Sequence, residues 1–300
     1  YGTVAAELRS ATVEHAAGVT VSANSTRTIH SETIDATLSL SLAVANVGVG
    51  INVTTNEIGT QILASVSDSM LSAMGEINVT ANSAAAIDSV SANASLQAAV
   101  SVDGASVGIN YMGIWSTNIL RQKVNAGIDS STISESSSIN VNATDGRDES
   151  GEQQGIRAKG VGVQVVFTVS EGAAVDVGAL TQFASNDIAN SVTASITGSE
   201  EINATGAISV DAEKMTSVES QLYTIAIGFA GSGGVTIDVS AATTVLRNSI
   251  SDSSDGDTSQ THALIDNSVL NAGSVQVHAT STPLIYAKIW DVDIQVAASG

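Results

Sequence analysis

The sequence has no cysteine, a single proline and only 3% aromatic residues across its 300 positions. Without cysteine, disulfide and thiolate–metal frameworks are excluded, and either a secreted bacterial chain or a cytosolic one fits. Positive charge is scarce as well. Ten Lys and Arg stand against thirty Asp and Glu, a formal net charge of −20, and the ten are scattered from Arg9 to Lys288. Nucleic acid and anionic membranes both select clustered Lys and Arg, so neither is an expected partner. No apolar run reaches the roughly 18 residues of a membrane-crossing helix, so the chain is not expected to be membrane-spanning. It begins at Tyr1 with no initiator Met or signal peptide, and its repeat phase is cut at both ends, as expected of a fragment of something longer.

What the sequence does have is small and branched apolar side chains. Hydrophobic residues make up 43% of it with hardly any rings, and Ser and Thr add about a quarter, a composition of strands rather than helices. In the stretch 35–54, Leu38, Leu40, Leu42 and Val44 fall on even positions, then Val47, Val49, Ile51 and Val53 on odd ones. Period-two alternation marks a strand with one buried face, and a parity change across two small or polar residues marks a tight turn between two strands. This arch returns three times: Leu96 to Val102 then Ala105 to Tyr111; Val161 to Val169 then Ala173 to Val177; Ile225 to Phe229 then Val235 to Val239. Its alternating apolar residues, represented by Leu40, Val49, Val100, Val107, Val163, Val175, Ile227 and Ile237, are expected to point into the core.

A V-x-V-x-A signature precedes each arch and begins at Val19, Ile77, Ile139, Ile208 and Val275, giving a unit of roughly 64 residues. Upstream of it lies a pair of apolar residues about five apart: Leu8 and Val13, Val66 and Leu71, Ile128 and Ile133, Val192 and Ile196, Ile265 and Leu270. The chain therefore reads as a single repeat array, with repeats at 1–61, 62–123, 124–187, 188–262 and an incomplete 263–300. Stacking each strand on its counterpart in the next repeat, about 4.8 Å away, gives an all-β parallel β-solenoid of stacked β-arches. The alternative is an antiparallel hairpin stack, for which Asp103-Gly104 is a suitable turn. Either form leaves open strand edges, which recruit neighbouring repeats or further copies of the molecule.

Chemistry-bearing motifs are few. The best metal candidate is Asp252, Asp255 and Asp257 around Gly256, a carboxylate-rich loop of the kind that suits Ca²⁺, although a solvated acidic loop is the commoner reading. No other cofactor is expected. Asp145, Asp148, Glu149 and Glu152, with Arg147 among them, read as solvated. The four histidines, His15, His30, His262 and His278, lack ligand spacing. No nucleophile elbow or phosphate loop occurs. The six N-x-S/T sequons, at Asn24, Asn52, Asn78, Asn93, Asn142 and Asn203, are about as many as chance supplies. Irregular outward residues such as Thr20, Asn78, Asn140, Ser209 and Gln276 argue against an ice-binding face. Trp115, Trp290, Tyr111, Tyr223 and Tyr286 are candidates to contact a glycan where exposed, with Tyr111 placed in the core by its parity. An enzyme is not expected, a carbohydrate-active one being the least favoured reading.

The V-x-V-x-A strands and the Gly-Val arches, such as Val47-Gly48-Val49-Gly50-Ile51, resemble the repeats of large secreted filamentous adhesins. The likeness is greatest to the leukotoxin-type and haemagglutinin-like exoproteins of Gram-negative bacteria, and it covers essentially the whole chain through pattern and composition. It implies an extracellular or cell-surface rod that acts by reach and adhesion. Its implied partners are neighbouring repeats or other copies, and a host or cell-surface glycan or protein.

Overall fold

A computed structural model describes residues 2–42, 44–102, 104–147, 151, 153–250 and 259–300. Its strands follow the repeat. The chain opens with β1 (Gly2–Arg9), β2 (Thr12–Ala16) and β3 (Val19–Ser41), then β4 (Ala45–Ser67), β5 (Met70–Ala73) and β6 (Ile77–Ser101). It continues through β7 (Ser106–Asp129), β8 (Thr132–Glu135), β9 (Ile139–Asp145) and β10 (Gln154–Ser170), then β11 (Ala174–Thr197), β12 (Glu201–Lys214) and β13 (Thr216–Ser232). The last rung holds β14 (Thr236–Ile250), β15 (Thr261–Asp266), β16 (Leu270–Ser281) and β17 (Leu284–Ser299).

All pairing between these strands is parallel, in two sheets. One runs β1-β4-β7-β11-β14, with β15 also on β11; the other holds the remaining strands. The fold is therefore the parallel β-solenoid. The antiparallel alternative is absent because the two long strands of an arch face each other across an interior instead of exchanging hydrogen bonds. Val19 pairs with Ile77, Ile77 with Ile139, Ile139 with Ile208 and Ile208 with Val275, so the V-x-V-x-A signatures form the rungs. With strands such as β6 reaching 25 residues, the molecule is a two-layer slab about 80 Å long and five rungs, about 20–25 Å, deep.

One repeat phase needs correction. In the fourth copy Ile128 pairs with Ile196 and Ile133 with Ile202, so the corner pair is Ile196 and Ile202 rather than Val192 and Ile196. The extra residue is Glu200, which follows the turn after Ser199 has matched Ser131 and before Glu201 pairs with Thr132. Left-handed backbone occupies the same place in every copy, at Ser10, Asp68, Ser130, Gly198 and Asn267. The serine after it builds a ladder along the corner. Ser69, Ser131 and Ser199 each donate a backbone N–H to the hydroxyl one rung on, at Ser131, Ser199 and Ser268, over 3.1–3.2 Å.

From this corner to mid-slab the core is conventional. Ile62, Ile77, Val79, Val124, Ile128, Ile139, Val141, Ile196, Ile208 and Val210 are fully buried between the layers. A second apolar group, including Ile58, Ile87, Leu120, Ile156 and Ile188, lies nearer the arch. Between the two groups sits a buried polar cluster. Asn190 Nδ2 donates to Asp145 Oδ2 (2.6 Å), Ser83 donates to Gln122, and Lys214 donates to the Asn190 carbonyl (3.5 Å). Burial raises the Asp145 carboxyl to about 6, against the opposing pull of the Asn190 hydrogen bond, the Lys214 charge and Ser83.

Candidate interaction surface

Beyond the second apolar group the slab turns inside out. β6 is one unbroken strand whose odd residues face inward along its whole length. Near the corner those inward residues are Ile77, Val79 and Ala81; near the arch they are Ser91, Asn93, Ser95 and Gln97. Leu96 and Val100, on the opposite parity, therefore point to the outside. The expectation that the arch residues line the core is overturned for the whole set. Leu40 is 70% exposed, Val49 61% and Ile237 48%, while Val100, Val107, Val163, Val175 and Ile227 are half-buried on the outer faces beside their ladder neighbours. Tyr111 also lies on the outer face, not in the core.

The interior that replaces a hydrocarbon core is made of amides, hydroxyls and the Asp176 and Asp238 carboxyls, several of them facing glycines. A Cβ on Gly162 would collide with Gln182 Nε2, and one on Gly228 with Asp238 Oδ1. Those contacts explain why the arches read Gly-Val: valine stands outside, and glycine inside makes room for a long polar side chain from the opposite layer. The amides so admitted bond backbone. Gln97 Nε2 donates to the Asn46 carbonyl (2.6 Å), Gln164 Nε2 to that of Asn110 (3.0 Å) and Gln182 Nε2 to that of Tyr223 (2.9 Å). The polar interior begins at an asparagine ladder. Asn56 Nδ2 donates to Asn118 Oδ1 (2.8 Å), Asn118 to Asn186 (2.7 Å) and Asn186 to Asn248 (2.8 Å).

Outside, the apolar residues form continuous rows across the rungs. In one sheet Leu38, Leu96, Val165, Ile227 and Ile294 are in register, and beside them Leu40, Ala98, Phe167, Phe229 and Val296. The Phe167 and Phe229 rings stack with centroids 4.8 Å apart. In the other sheet Val47, Ile109, Val177 and Val239 align. Within 34–40, 92–100, 161–169, 223–231 and 290–298 of the first sheet, no outward residue carries a charge. The second sheet, over 45–53, 107–115, 175–183 and 237–245, departs from apolar only at Thr181, Thr243 and the Tyr111 hydroxyl.

The band ends in aromatics and cations. Tyr223 and Trp290 share the last apolar row of the first sheet, and Trp115 and Phe183 that of the second. The next outward row of the first sheet carries Lys159 and Lys288. Lys288 Nζ lies 5.7 Å from the Tyr223 ring centroid and 5.5 Å from that of Trp290, and Lys159 Nζ lies 5.9 Å from Tyr223. Thr224 and Thr244 hydroxyls meet across the interior at 2.8 Å, which puts Tyr223 level with Val245 in the Trp115 row of the other face.

The remaining candidates are not drawn together. Asp252, Asp255 and Asp257, the Ca²⁺ candidates, and Asp148, Glu149 and Glu152 lie outside the described residues. Among the described residues no three His, Cys, Asp or Glu side chains gather as a metal site. Tyr286 is exposed on the polar side of the Lys row, so the aromatics follow the band edge instead of forming one glycan platform. Comparison with protein-family models, with curated proteins and with solved structures found no match.

Proposed function

We propose that this chain is a structural interaction protein, a β-solenoid segment of an extracellular adhesin shaft or fibre that works through stacked strands. The observation that carries this reading is the pair of open ends. β3 and the arch half of β4 pair only inward, with β6 and β7, and β14 and β17 pair only with β11 and β13. Edges this long present rows of unpaired N–H and C=O groups that a further rung satisfies. The same edges support a second reading, a self-assembling filament subunit in which the further rung belongs to another copy. A carbohydrate-active site gains no support, because Asp145 and Asp176 are buried between the layers and not set in a groove.

Negative-stain electron microscopy over a concentration series, with Ca²⁺ and with EDTA, tests the proposal. Uniform fibres that lengthen with concentration favour the filament subunit. Single slabs at every concentration favour a shaft segment whose next rung is covalent. Amorphous aggregates with no strand-to-strand order would count against both. Fibre length that responds to EDTA would bring the Asp252 loop into the assembly.

A further inference from the structure

The apolar band wraps both outer faces of one end of the slab, and its shape identifies what it meets. Rows 34–42 of one sheet and 45–53 of the other each span about 26 Å of strand, close to the apolar band of a bilayer-crossing β structure and to the 9–11 residues such a strand needs. Both faces stop at the same level, in rows that hold both tryptophans of the chain; on the first sheet the next outward row carries Lys159 and Lys288 together with Glu32 and Gln221, and on the second it carries Arg247 beside Thr55, Thr117 and Ser185. Aromatic rings at the edge of an apolar band, flanked by Lys, suit the boundary between hydrocarbon and headgroups. A polar interior behind an apolar exterior reverses the soluble order and matches a lipid surround. A second copy docked on one sheet would leave the other bare, and would not require the two bands to end together.

We propose that the arch half of the slab is built to sit in the hydrocarbon of a zwitterionic lipid bilayer, with the Trp115 and Trp290 rows at one headgroup layer and the arch turns at the other. No helix among the described residues is long and apolar enough to cross a membrane, so strands do the crossing. The net charge of −20 makes hydrocarbon burial, not attraction to anionic headgroups, the driving force. Hydrocarbon penalises unpaired backbone groups, so the outermost rungs must be paired edge to edge. In that respect the inference rests on the self-association proposed above.

The absence of cysteine makes the test direct. Single cysteines at Val163→Cys and Val177→Cys, inside the band on opposite faces and one row in from its aromatic edge and from the arch respectively, and at Thr80→Cys, on the outer face of the corner half, carry an environment-sensitive fluorophore in phosphatidylcholine vesicles with nitroxides at known depths. Probes at 163 and 177 should be quenched by deep nitroxides and the probe at 80 by none, while Trp115 and Trp290 respond to shallow ones. Replacing one outward row, Leu96→Thr with Val165→Thr and Ile227→Thr, should keep the circular dichroism and Tm but weaken vesicle binding at least about tenfold. Quenching on one face only, or probes that stay in water, overturns lipid insertion. Probe emission that shifts to the blue with protein concentration in the absence of lipid assigns the faces to a second copy and also overturns it. Sedimentation in lipid-free buffer reads edge pairing separately. Fibres whose probes stay in water defeat the lipid proposal alone, and monomers whose probes read deep lipid defeat the edge pairing alone.

Discussion

Val79 and Val163 are the same residue type in the same kind of strand, and the slab treats them in opposite ways. Val79 is fully buried between the layers, whereas Val163 stands on the outer face. An aspartate at Val79 would be a buried charge without a partner, so Val79→Asp should cost more than about 4 kcal/mol and unfold the corner half. Val163→Asp should cost under about 2 kcal/mol in dilute buffer; denaturant titration of the two variants checks the assignment of faces. A second residue-scale prediction concerns Asp145. Its folded pKa of about 6 lies above the unfolded 3.8, so the native state binds the extra proton. The stabilisation is complete below pH 3.8 and is lost as pH rises through 6, a difference of up to about 3 kcal/mol. Asp145→Asn should lessen, without abolishing, the fall in Tm between about pH 4.5 and about pH 7.5, because burial and the neighbouring Asp238 charge raise Asp176 to about 7 in the same window; an unchanged pH profile would assign the whole slope to Asp176.

At the scale of the element, the asparagine ladder joins the two halves of the slab. Asn118 donates to Asn186 and accepts from Asn56, so Asn118→Leu strands a donor on one side and an acceptor on the other. The expected cost is about 2–3 kcal/mol by chemical denaturation. Replacing Asn56, Asn118, Asn186 and Asn248 together by Leu should cost less than four times that value, because no amide of the ladder is left facing a lost partner, although the Ser220 hydroxyl loses its bonds to Asn186 and Asn248. Repeat length, the V-x-V-x-A rungs and the all-β stack were legible in sequence, since each depends on apolar residues recurring at fixed phase; parallel pairing was favoured over an antiparallel stack but not separated from it, because both place the same residues on one face. The inward side of the arch was not. Alternation says that one face of a strand is apolar; it does not say that the apolar face is the inside. The missing signal lay in the count from Ile77 to Leu96, which changes parity with no glycine or proline between Ala81 and Leu96 to reset it. In the third copy, the loop between Asp145 and Gln154 adds an odd number of residues and hides the change. The ladder itself had a signature in Asn56-Glu57-Ile58, Asn118-Ile119-Leu120, Asn186-Asp187-Ile188 and Asn248-Ser249-Ile250, an Asn two residues before an aliphatic in every copy.

For the whole molecule, the opposing terms are edge pairing and charge. A net charge of −20 opposes the meeting of two copies, and raising ionic strength from 0.1 M to 1 M shortens the screening length from about 10 Å to about 3 Å. Fibre growth should therefore speed up several-fold with salt, as followed by light scattering; growth insensitive to salt would mean that the acidic residues lie away from the joining edges. The parity change in mid-strand carries a different consequence. Because no bulge or turn separates the two regimes of β6, one residue is the whole distance between them. Deleting a single residue between Ala86 and Val90, with matching deletions in the other long strands of both layers, would restore one phase from corner to arch. The valines and leucines would then fill the interior, and the amides would face water. The unusual half of this molecule thus lies one reading-register step from an ordinary soluble solenoid.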